Sequence, residues 1–300
     1  MLTPRPGRLR EPGRGAVLGA REVTLTIAHE VAMRRFLIAV GIAAFVASGC
    51  VARRAHYQAN AFEWTGSVPA GQWLHVHNLN GTINVVAGTD ANVEVHASKK
   101  WTHGGDEVHF VKNVGPDGVT ICVLYHSGDD CSADQSSRSS RHHGLFSFHS
   151  SSDAQTDFVI DVPPGVNLEL ANISGSVQAS GTSGTVDARV VNGEINVASH
   201  EGALDLVTVN GSVTAALDTL PATGDISLKT VNGSVTAVLP SALNGFVSFE
   251  TVTGHISDAF TATSNDPPSA KKFDGTIGTG GSRHVTLSTV NGSVSLLKHA

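Results

Sequence analysis

The side chains best suited to chemistry in this sequence are its histidines, of which there are 15. His75 and His77 alternate with apolar residues, so both should point away from the core. A zinc or copper site needs about two to four such nitrogens in fixed geometry, and the sequence holds no HExxH pattern. We therefore predict solvated histidines, with no bound metal and no cofactor. Four more histidines fall in one serine-rich stretch, at His126, His142, His143 and His149.

Two cysteines lie nine residues apart across a Gly-Asp-Asp turn, at Cys122 and Cys131. In an oxidising compartment such a pair is expected to form a disulfide. On the loop-entropy model, closing this loop stabilises the fold by at most ~3 kcal/mol. The other interpretation, a catalytic thiol, lacks an accompanying Cys–His motif.

Motifs of hydrolases and nucleotide-binding proteins are missing from the sequence. No serine has glycine at both minus two and plus two, and there is no GxxxxGK phosphate loop. A β-helical fold can still place carboxylates as polysaccharide hydrolases do. However, we expect the outward acids to lie in non-equivalent or separate coils, and lysine and arginine residues lie between them. These acids are Asp187, Asp205 and Glu250. We predict a solvated face there, and hence no enzyme.

Composition favours strands and turns over helices. Hydrophobic residues make up 40% of the 300 residues and glycine contributes 32, which excludes wholesale disorder and collagen. Residues 1–49 hold seven arginines and three acidic residues, which leaves 13 basic and 23 acidic side chains in the remainder. A body with a net charge of −10 and no basic cluster argues against nucleic acid as a partner.

The N-terminus carries the features of a secretory signal peptide. An apolar run at residues 36–47 follows Arg34 and Arg35, and it is shorter than the ~18 residues of a membrane-spanning helix. Because Met33 stands directly before the two arginines, we take residues 33–49 as the signal. Residues 1–32 are then an over-extended reading frame, and the alternative is a functional leader.

The end of this run, Ala47-Ser48-Gly49-Cys50, resembles the bacterial lipoprotein signal. The resemblance implies that Cys50 is lipidated and becomes the mature N-terminus, where two or more acyl chains anchor stably. Residue 51 is valine, which by the same resemblance favours the outer membrane if the cell has two membranes. The alternative is an ordinary signal peptide with an incidental cysteine.

Asn-Gly, or a close variant of it, recurs within one apolar frame along the body of the chain. The glycine-to-glycine spacings from residue 175 onward are 18, 18, 22, 21, 21 and 17 residues, a period typical of stacked coils. In each copy, two short alternating segments flank a predicted corner. The predicted corner residues are Asn80, Gly81, Gly175, Asn192, Gly193, Asn210, Gly211, Asn232, Gly233, Gly254, Gly275, Asn291 and Gly292.

Asn-Gly between alternating runs is also a hairpin signal, so an antiparallel meander or sandwich is the competing architecture. We favour stacking because Val-Asn-Gly-Ser returns at residues 209, 231 and 290. In stacked coils identical positions lie ~4.8 Å apart, so asparagines can form a ladder and glycine can supply a positive φ. The predicted fold class is all-β, a β-solenoid (β-helix-like) array of ~17–22-residue coils with a less regular N-terminal β region.

The body divides by pattern. Residues 50–61 are predicted to be a tether, residues 62–125 an N-terminal β region, and residues 157–300 the β-repeat domain. Between the last two lies a Ser/His-rich loop at residues 126–156. A loop of this length is typical of either a functional or a disordered segment.

The motifs together resemble the bacterial putative-adhesin β-strand-repeat family, a domain of unknown function. They are Leu-Asn-Gly-Thr-Ile-Asn-Val at residue 79, Val-Pro-Pro-Gly-Val at residue 162 and serial Thr-Val-Asn-Gly-Ser-Val units, and the similarity spans residues 62–297. The resemblance implies an extracytoplasmic, β-helical protein of the cell envelope and brings no catalytic residues.

We therefore expect a non-catalytic, lipid-anchored lipoprotein that acts as an adhesin-like binding or scaffold surface. Its expected partners are the membrane, through the lipid, and an envelope protein or polysaccharide. The alternative is a β-helical carbohydrate-active enzyme. Two or three carboxylates clustered in a groove would favour the enzyme, whereas a face of Ser, Thr and Asn would favour the binding protein.

Overall fold

The computed structural model describes residues 55–103, 108–125, 131, 152–220, 224–260, 262–264 and 271–299. All of them belong to one compact unit, Arg53–Ala300. Every regular element among them is a β-strand. No helix in these ranges is long and apolar enough to cross a membrane.

Twenty strands follow one another along the described chain. The first ten are β1 (His56–Gly66), β2 (Trp73–Asn80), β3 (Ile83–Ala87), β4 (Val93–Trp101), β5 (His109–Val114), β6 (Gly118–Leu124), β7 (Gln155–Val162), β8 (Asn167–Ser174), β9 (Val177–Ser180) and β10 (Val186–Asn192). The others are β11 (Ile195–Ser199), β12 (Leu204–Asn210), β13 (Val213–Leu217), β14 (Ile226–Asn232), β15 (Val235–Pro240), β16 (Gly245–Thr253), β17 (Ile256–Asp258), β18 (Lys272–Ile277), β19 (His284–Asn291) and β20 (Val294–His299).

The strands form two ten-stranded sheets. Sheet A has the order β1-β4-β7-β3-β9-β11-β13-β15-β20-β17, and sheet B has the order β18-β16-β19-β14-β12-β10-β8-β2-β6-β5. Each repeat unit gives one strand to sheet B, turns a corner and gives the next strand to sheet A. The result is a solenoid-like stack of coils, and pairing between successive coils is parallel.

Alternation along each strand places one face in the core between the sheets. Equivalent residues of adjacent coils pair directly, as Val186 does with Leu204, and Leu204 with Ile226. The inward residues are almost all valine, leucine, isoleucine or alanine, and their side chains are fully or nearly fully buried. Small aliphatic residues suit a core that is one coil wide, and the predicted inward alternation is confirmed.

The order of the coils in space departs from their order in the chain at both ends. The β2–β3 coil lies between the β6–β7 coil and the β8–β9 coil. At the other end, the last coil, β19–β20, is inserted between β14–β15 and β16–β17. Strands β2, β3 and β6, which fall in the predicted less regular N-terminal β region at residues 62–125, are therefore part of the same stack as the later coils.

The serine- and histidine-rich segment joins β6 to β7 along the chain. Strand β6 pairs with β2 in sheet B, and β7 pairs with β3 in sheet A, so residues 125–154 connect the two halves of one coil. Most of this connection lies outside the described residues. Antiparallel strands close the stack: β4 and β1 extend sheet A at one end, β5 extends sheet B there, and β18 extends sheet B at the other end. Strand β1 begins at His56, so the last six residues of the predicted 50–61 tether are folded.

Candidate functional site

The corners of the coils are built on a ladder of glycines. A β-carbon placed on Gly233 would overlap the carbonyl oxygen of Gly211 in the preceding coil, and one placed on Gly211 would overlap that of Gly193. The same relation joins six successive pairs, in the spatial order Gly81, Gly175, Gly193, Gly211, Gly233, Gly292 and Gly254. Glycine is needed at each corner because the backbone of the preceding coil occupies the space that a side chain would take.

A threonine lies three residues before four of these glycines and makes a hydrogen bond to the adjacent coil. The four glycines are Gly211, Gly233, Gly254 and Gly292. The buried hydroxyl of Thr230 donates to the carbonyl oxygen of Gly211 at 2.8 Å, and that of Thr289 donates to Gly233 at 2.8 Å. Thr208 and Thr251 make the same bond to the coil beside them. The serial Thr-Val-Asn-Gly pattern carried this signal, but no role for the threonine was predicted from it.

Exposed asparagines form a ladder along the same corner, as predicted. The amide of Asn210 donates to Oδ1 of Asn192 at 2.8 Å, Asn232 donates to Asn210 at 2.8 Å, and Asn291 donates to Asn232 at 2.7 Å. The hydroxyl of Thr253 continues the row to Asn291 at 3.0 Å. Asn80 belongs to the other end, where its amide donates to the Ala154 carbonyl at 3.1 Å.

Each of the last four ladder positions, Asn210, Asn232, Asn291 and Thr253, is directly preceded by an exposed valine. These valines form a row on the outer face of sheet B that we call the valine row. It consists of Val209, Val231, Val290 and Val252, whose exposed fractions are 39%, 39%, 40% and 59%. In space they occupy four successive coils, because β19 lies between β14 and β16. An aliphatic row beside an asparagine ladder is a flat, regular surface with both apolar and hydrogen-bonding groups.

The prediction for Gly275 is wrong. It lies within β18 and pairs with Val247 in an antiparallel register, so it is not at a corner of the stack. Its Asp-Gly pair imitates the corner motif, but a β-carbon there would overlap the ring of Phe273. It would also come within 2.9 Å of the carbonyl oxygen of Thr263, so the requirement for glycine comes from neighbours other than a stacked corner.

A second constellation lies on the outer face of sheet B, toward the N-terminal end. His75, Glu169, Asp187 and Asp205 occupy one register row on the adjacent strands β2, β8, β10 and β12. The acids Asp187 and Asp205 are thus equivalent residues of neighbouring coils. The prediction placed these acids in non-equivalent or separate coils. They do lie in separate coils, but the parallel register makes their positions equivalent and brings them side by side.

These charges are paired; His75 and Glu169 are buried, whereas Asp187, Asp205 and Arg189 are partly exposed. Nδ1 of His75 lies 2.5 Å from Oε2 of Glu169, and both residues are buried. Nη2 of Arg189 donates to Asp187 at 2.8 Å and to Asp205 at 3.2 Å. Burial raises the pKa of the Asp187 carboxyl, and Arg189 opposes that shift. The predicted solvated face is in fact a half-buried network of ion pairs.

His77 belongs to the same network and is also buried, contrary to the prediction of a solvated histidine. Its pKa is lowered by burial, an effect that the charge of Glu169 opposes and that of His75 reinforces. Nδ1 of His77 lies 3.8 Å from Sγ of Cys122, which forms a disulfide with Cys131 at a Cα–Cα distance of 5.8 Å. The disulfide therefore joins β6 to Cys131 beside this histidine.

Other predicted residues lie outside the described ranges. These are Cys50 and the loop histidines His126, His142, His143 and His149. Within the described ranges, no group of three or more His, Cys, Asp or Glu residues is placed to hold a metal ion. Sequence reasoning missed Glu169, because only the pairing of β2 with β8 brings it to His75 across 94 residues.

The stacked coils and their glycine corners define an all-β repeat protein. The sequence pattern of one family, the Toastrack DUF4097 domain, matches residues 120–297. Since this match covers more than half of the chain, the protein belongs to the Toastrack DUF4097 family. The match begins inside β6 and includes every later coil.

Two solved structures show distant similarity. A putative cell adhesion protein from Clostridium sporogenes ATCC 15579 is 12% identical, with 79% of this chain and 99% of that one covered and a TM-score of 0.37. A putative adhesin from Bacteroides fragilis NCTC 9343 is 9% identical, with 82% and 98% covered and a TM-score of 0.31. No curated protein matches the chain.

Proposed function

We propose that this protein is a non-catalytic lipoprotein of the cell envelope, anchored through Cys50, whose stack of coils acts as an adhesin-like binding or scaffold surface. The observation that carries the proposal is the array along the corners: the valine row beside the asparagine ladder. Membership of the Toastrack DUF4097 family is consistent with a repeat surface of this kind.

The array fits an extended partner better than a small molecule. Its side chains repeat once per coil, about every 4.8 Å, and the stacked backbone holds them in place. The valines offer apolar contact area, and the amide groups of the exposed asparagines lie beside them. An envelope polysaccharide or an extended protein segment could make the same contact on several successive coils.

The test is binding of the purified mature protein to separated envelope fractions, one of polysaccharide and one of membrane protein. Replacing Val209, Val231 and Val290 together by serine should weaken binding on the order of tenfold, since interface energy concentrates in a few contacts. The control is Val159→Ser, because this residue is 46% exposed but lies on β7 in sheet A. Equal binding by the triple variant and the control would show that the valine row is not the binding surface.

A second candidate function, a carbohydrate-active enzyme, has one observation in its favour. Glu169, Asp187 and Asp205 place three carboxylates side by side, and the raised pKa of Asp187 is typical of a general acid. Against it, His75 and Arg189 already pair with these groups. Release of reducing sugar from envelope polysaccharide that is lost in both Glu169→Gln and Asp187→Asn, and kept in Glu250→Gln, would establish the enzyme in place of the binding protein.

A further inference from the structure

The N-terminal end of the stack is closed by aromatic side chains. Strand β1 is the edge of sheet A and β5 is the edge of sheet B at this end. Between them Phe62 stacks on Phe110 with ring centroids 5.4 Å apart, and Trp64 and Trp101 pack beside the core while still partly exposed. The terminal repeats of solenoid proteins usually present a polar outer face, so an aromatic end is a departure that calls for a partner.

Lysines surround these aromatic rings. Nζ of the exposed Lys112 lies 5.5 Å from the ring centroid of Trp64. Nζ of Lys99 lies 4.7 Å from that of Trp101, but Lys99 is buried and donates to the carbonyl oxygen of Val108. Lys100 is exposed on β4, where it pairs with Tyr57 of β1, and Tyr57 is itself 68% exposed. At the rim, Val114 at the end of β5 is 71% exposed.

The charge of this end differs from that of the rest of the stack. Strands β1, β4 and β5 carry three lysines and two glutamates, whereas the other described segments hold more acidic than basic side chains. Both glutamates, Glu63 and Glu94, lie on the outer face of sheet A, where the same register also places Lys100 and Tyr57, and Glu63 is 3.7 Å from His96. The end of the stack therefore presents partly exposed tryptophans with Lys112, and Lys100 and Tyr57 lie at its rim on the outer face of sheet A, on an otherwise acidic molecule.

We propose that this end of the stack docks on the headgroup layer of an anionic membrane. Tryptophan and tyrosine are enriched at membrane interfaces because one part of the ring system is apolar and the other polar. Lysines near an anionic surface add electrostatic attraction, and their apolar stems can lie along the aromatic rings. The partner is a lipid surface and not a soluble anion, since the aromatic rings and Val114 also need apolar contact.

The position of the proposed anchor supports the same partner, and in this respect the inference rests on the proposed function. Cys50 precedes His56, the first residue of β1, by six residues. A fully extended chain of that length spans at most about 20 Å. A lipid on Cys50 would therefore keep the β1 end of the stack close to the bilayer, and the far end would point away from it.

The test uses the mature chain with Cys50→Ser, so that no acyl chain contributes to binding. It should sediment with vesicles of equimolar phosphatidylglycerol and phosphatidylcholine, and its tryptophan emission should shift to the blue. Lys100→Gln and Lys112→Gln should each weaken this binding on the order of fivefold. Lys229→Gln, at an exposed lysine in the middle of sheet B, is the matched control and should change little.

Three outcomes overturn the proposal: no binding to the anionic vesicles, equal loss in the Lys112→Gln variant and the control, or concentration-dependent self-association that the lysine variants abolish. The last result would assign the aromatic end to a contact between copies of the chain. Failure here is distinct from failure of the anchor, because detergent partitioning of the wild-type protein tests the lipid on Cys50 independently.

Discussion

Single residues at the corners determine how closely the coils can approach one another. Gly233 has a φ of +154°, and the position of its missing β-carbon is occupied by backbone of the preceding coil. Thr230 and Asn232, its neighbours in sequence, bond to that same coil. One tetrapeptide therefore combines a steric requirement, a buried hydrogen bond and an exposed hydrogen bond.

Gly233→Ala should destabilise the protein by ~1–3 kcal/mol, the usual range for forcing extra atoms into a packed site. The measurement is the free energy of unfolding in urea. Gly88→Ala is the matched control, because its φ is not positive and its β-carbon would meet other atoms only at 3.4 Å or more. Gly278, although outside the corners, is unsuitable as a control, since its φ is +68°. Equal losses in the two variants would contradict the steric account.

The buried His77 predicts a dependence of stability on pH. Burial lowers its pKa in the folded state, so on acidification below ~6.5 the unfolded chain binds a proton that the folded chain does not. The free energy of unfolding should therefore fall as the pH drops below that value, until the lowered pKa is reached.

His77→Gln should reduce this loss, and urea unfolding above and below the usual histidine pKa measures it. His255→Gln, an exposed residue at a corner, should leave the pH dependence unchanged. If the two variants behave alike, the loss on acidification belongs to other groups.

At the scale of elements, the repeating unit is the coil, and one coil can take the place of another because their contacts are equivalent. Strands β12 and β14 make equivalent contacts in sheet B, and β13 and β15 do so in sheet A. Each coil contacts only its neighbours, so stability is close to a sum of coil and interface contributions. Removal of one whole coil leaves the same kinds of contact between those that remain.

Deleting Gly211–Asn232 removes β13 and β14 and joins Asn210 to Gly233, which restores a corner. The shortened protein should fold, with a cooperative thermal transition at a lower Tm, measured by circular dichroism. Deleting only Gly211–Leu220 is the control, because it removes the sheet A strand and leaves β12 to be followed directly by another sheet B strand. A folded control together with an unfolded coil deletion would contradict independent stacking.

At the scale of the whole molecule, the proposed anchor and the aromatic end give the stack a direction. Cys50 should carry lipid, so the wild-type protein should partition into detergent, since two or more acyl chains give stable anchoring. Cys50→Ala should be released to the aqueous phase or remain unprocessed, as followed by phase separation and intact mass. If the variant partitions into detergent as the wild-type protein does, Cys50 is not the site of a lipid anchor.

Much of the stack could be predicted from the sequence because its determinants are local. Alternation in segments such as Ile226–Asn232 assigns the inward residues, and a glycine spacing close to 20 residues indicates coils. The asparagine ladder followed from the recurrence of Val-Asn-Gly-Ser at equivalent positions, since parallel stacking brings identical residues together. All-β class, inward alternation and the ladder needed no information about distant contacts.

The arrangement of the ends was decided only in the tertiary structure. The corner motifs before Gly233, Gly254 and Gly292 are alike, so nothing local specifies that the coil of Gly292 lies between the other two. Asp274-Gly275 imitates the motif within an antiparallel strand, and the charged network needs the register of β2 against β8. Because the coils have similar sequences, each coil's sequence determines its own conformation and surface. Which coils lie next to each other depends on the chain connections and on the strands that close each end of the stack.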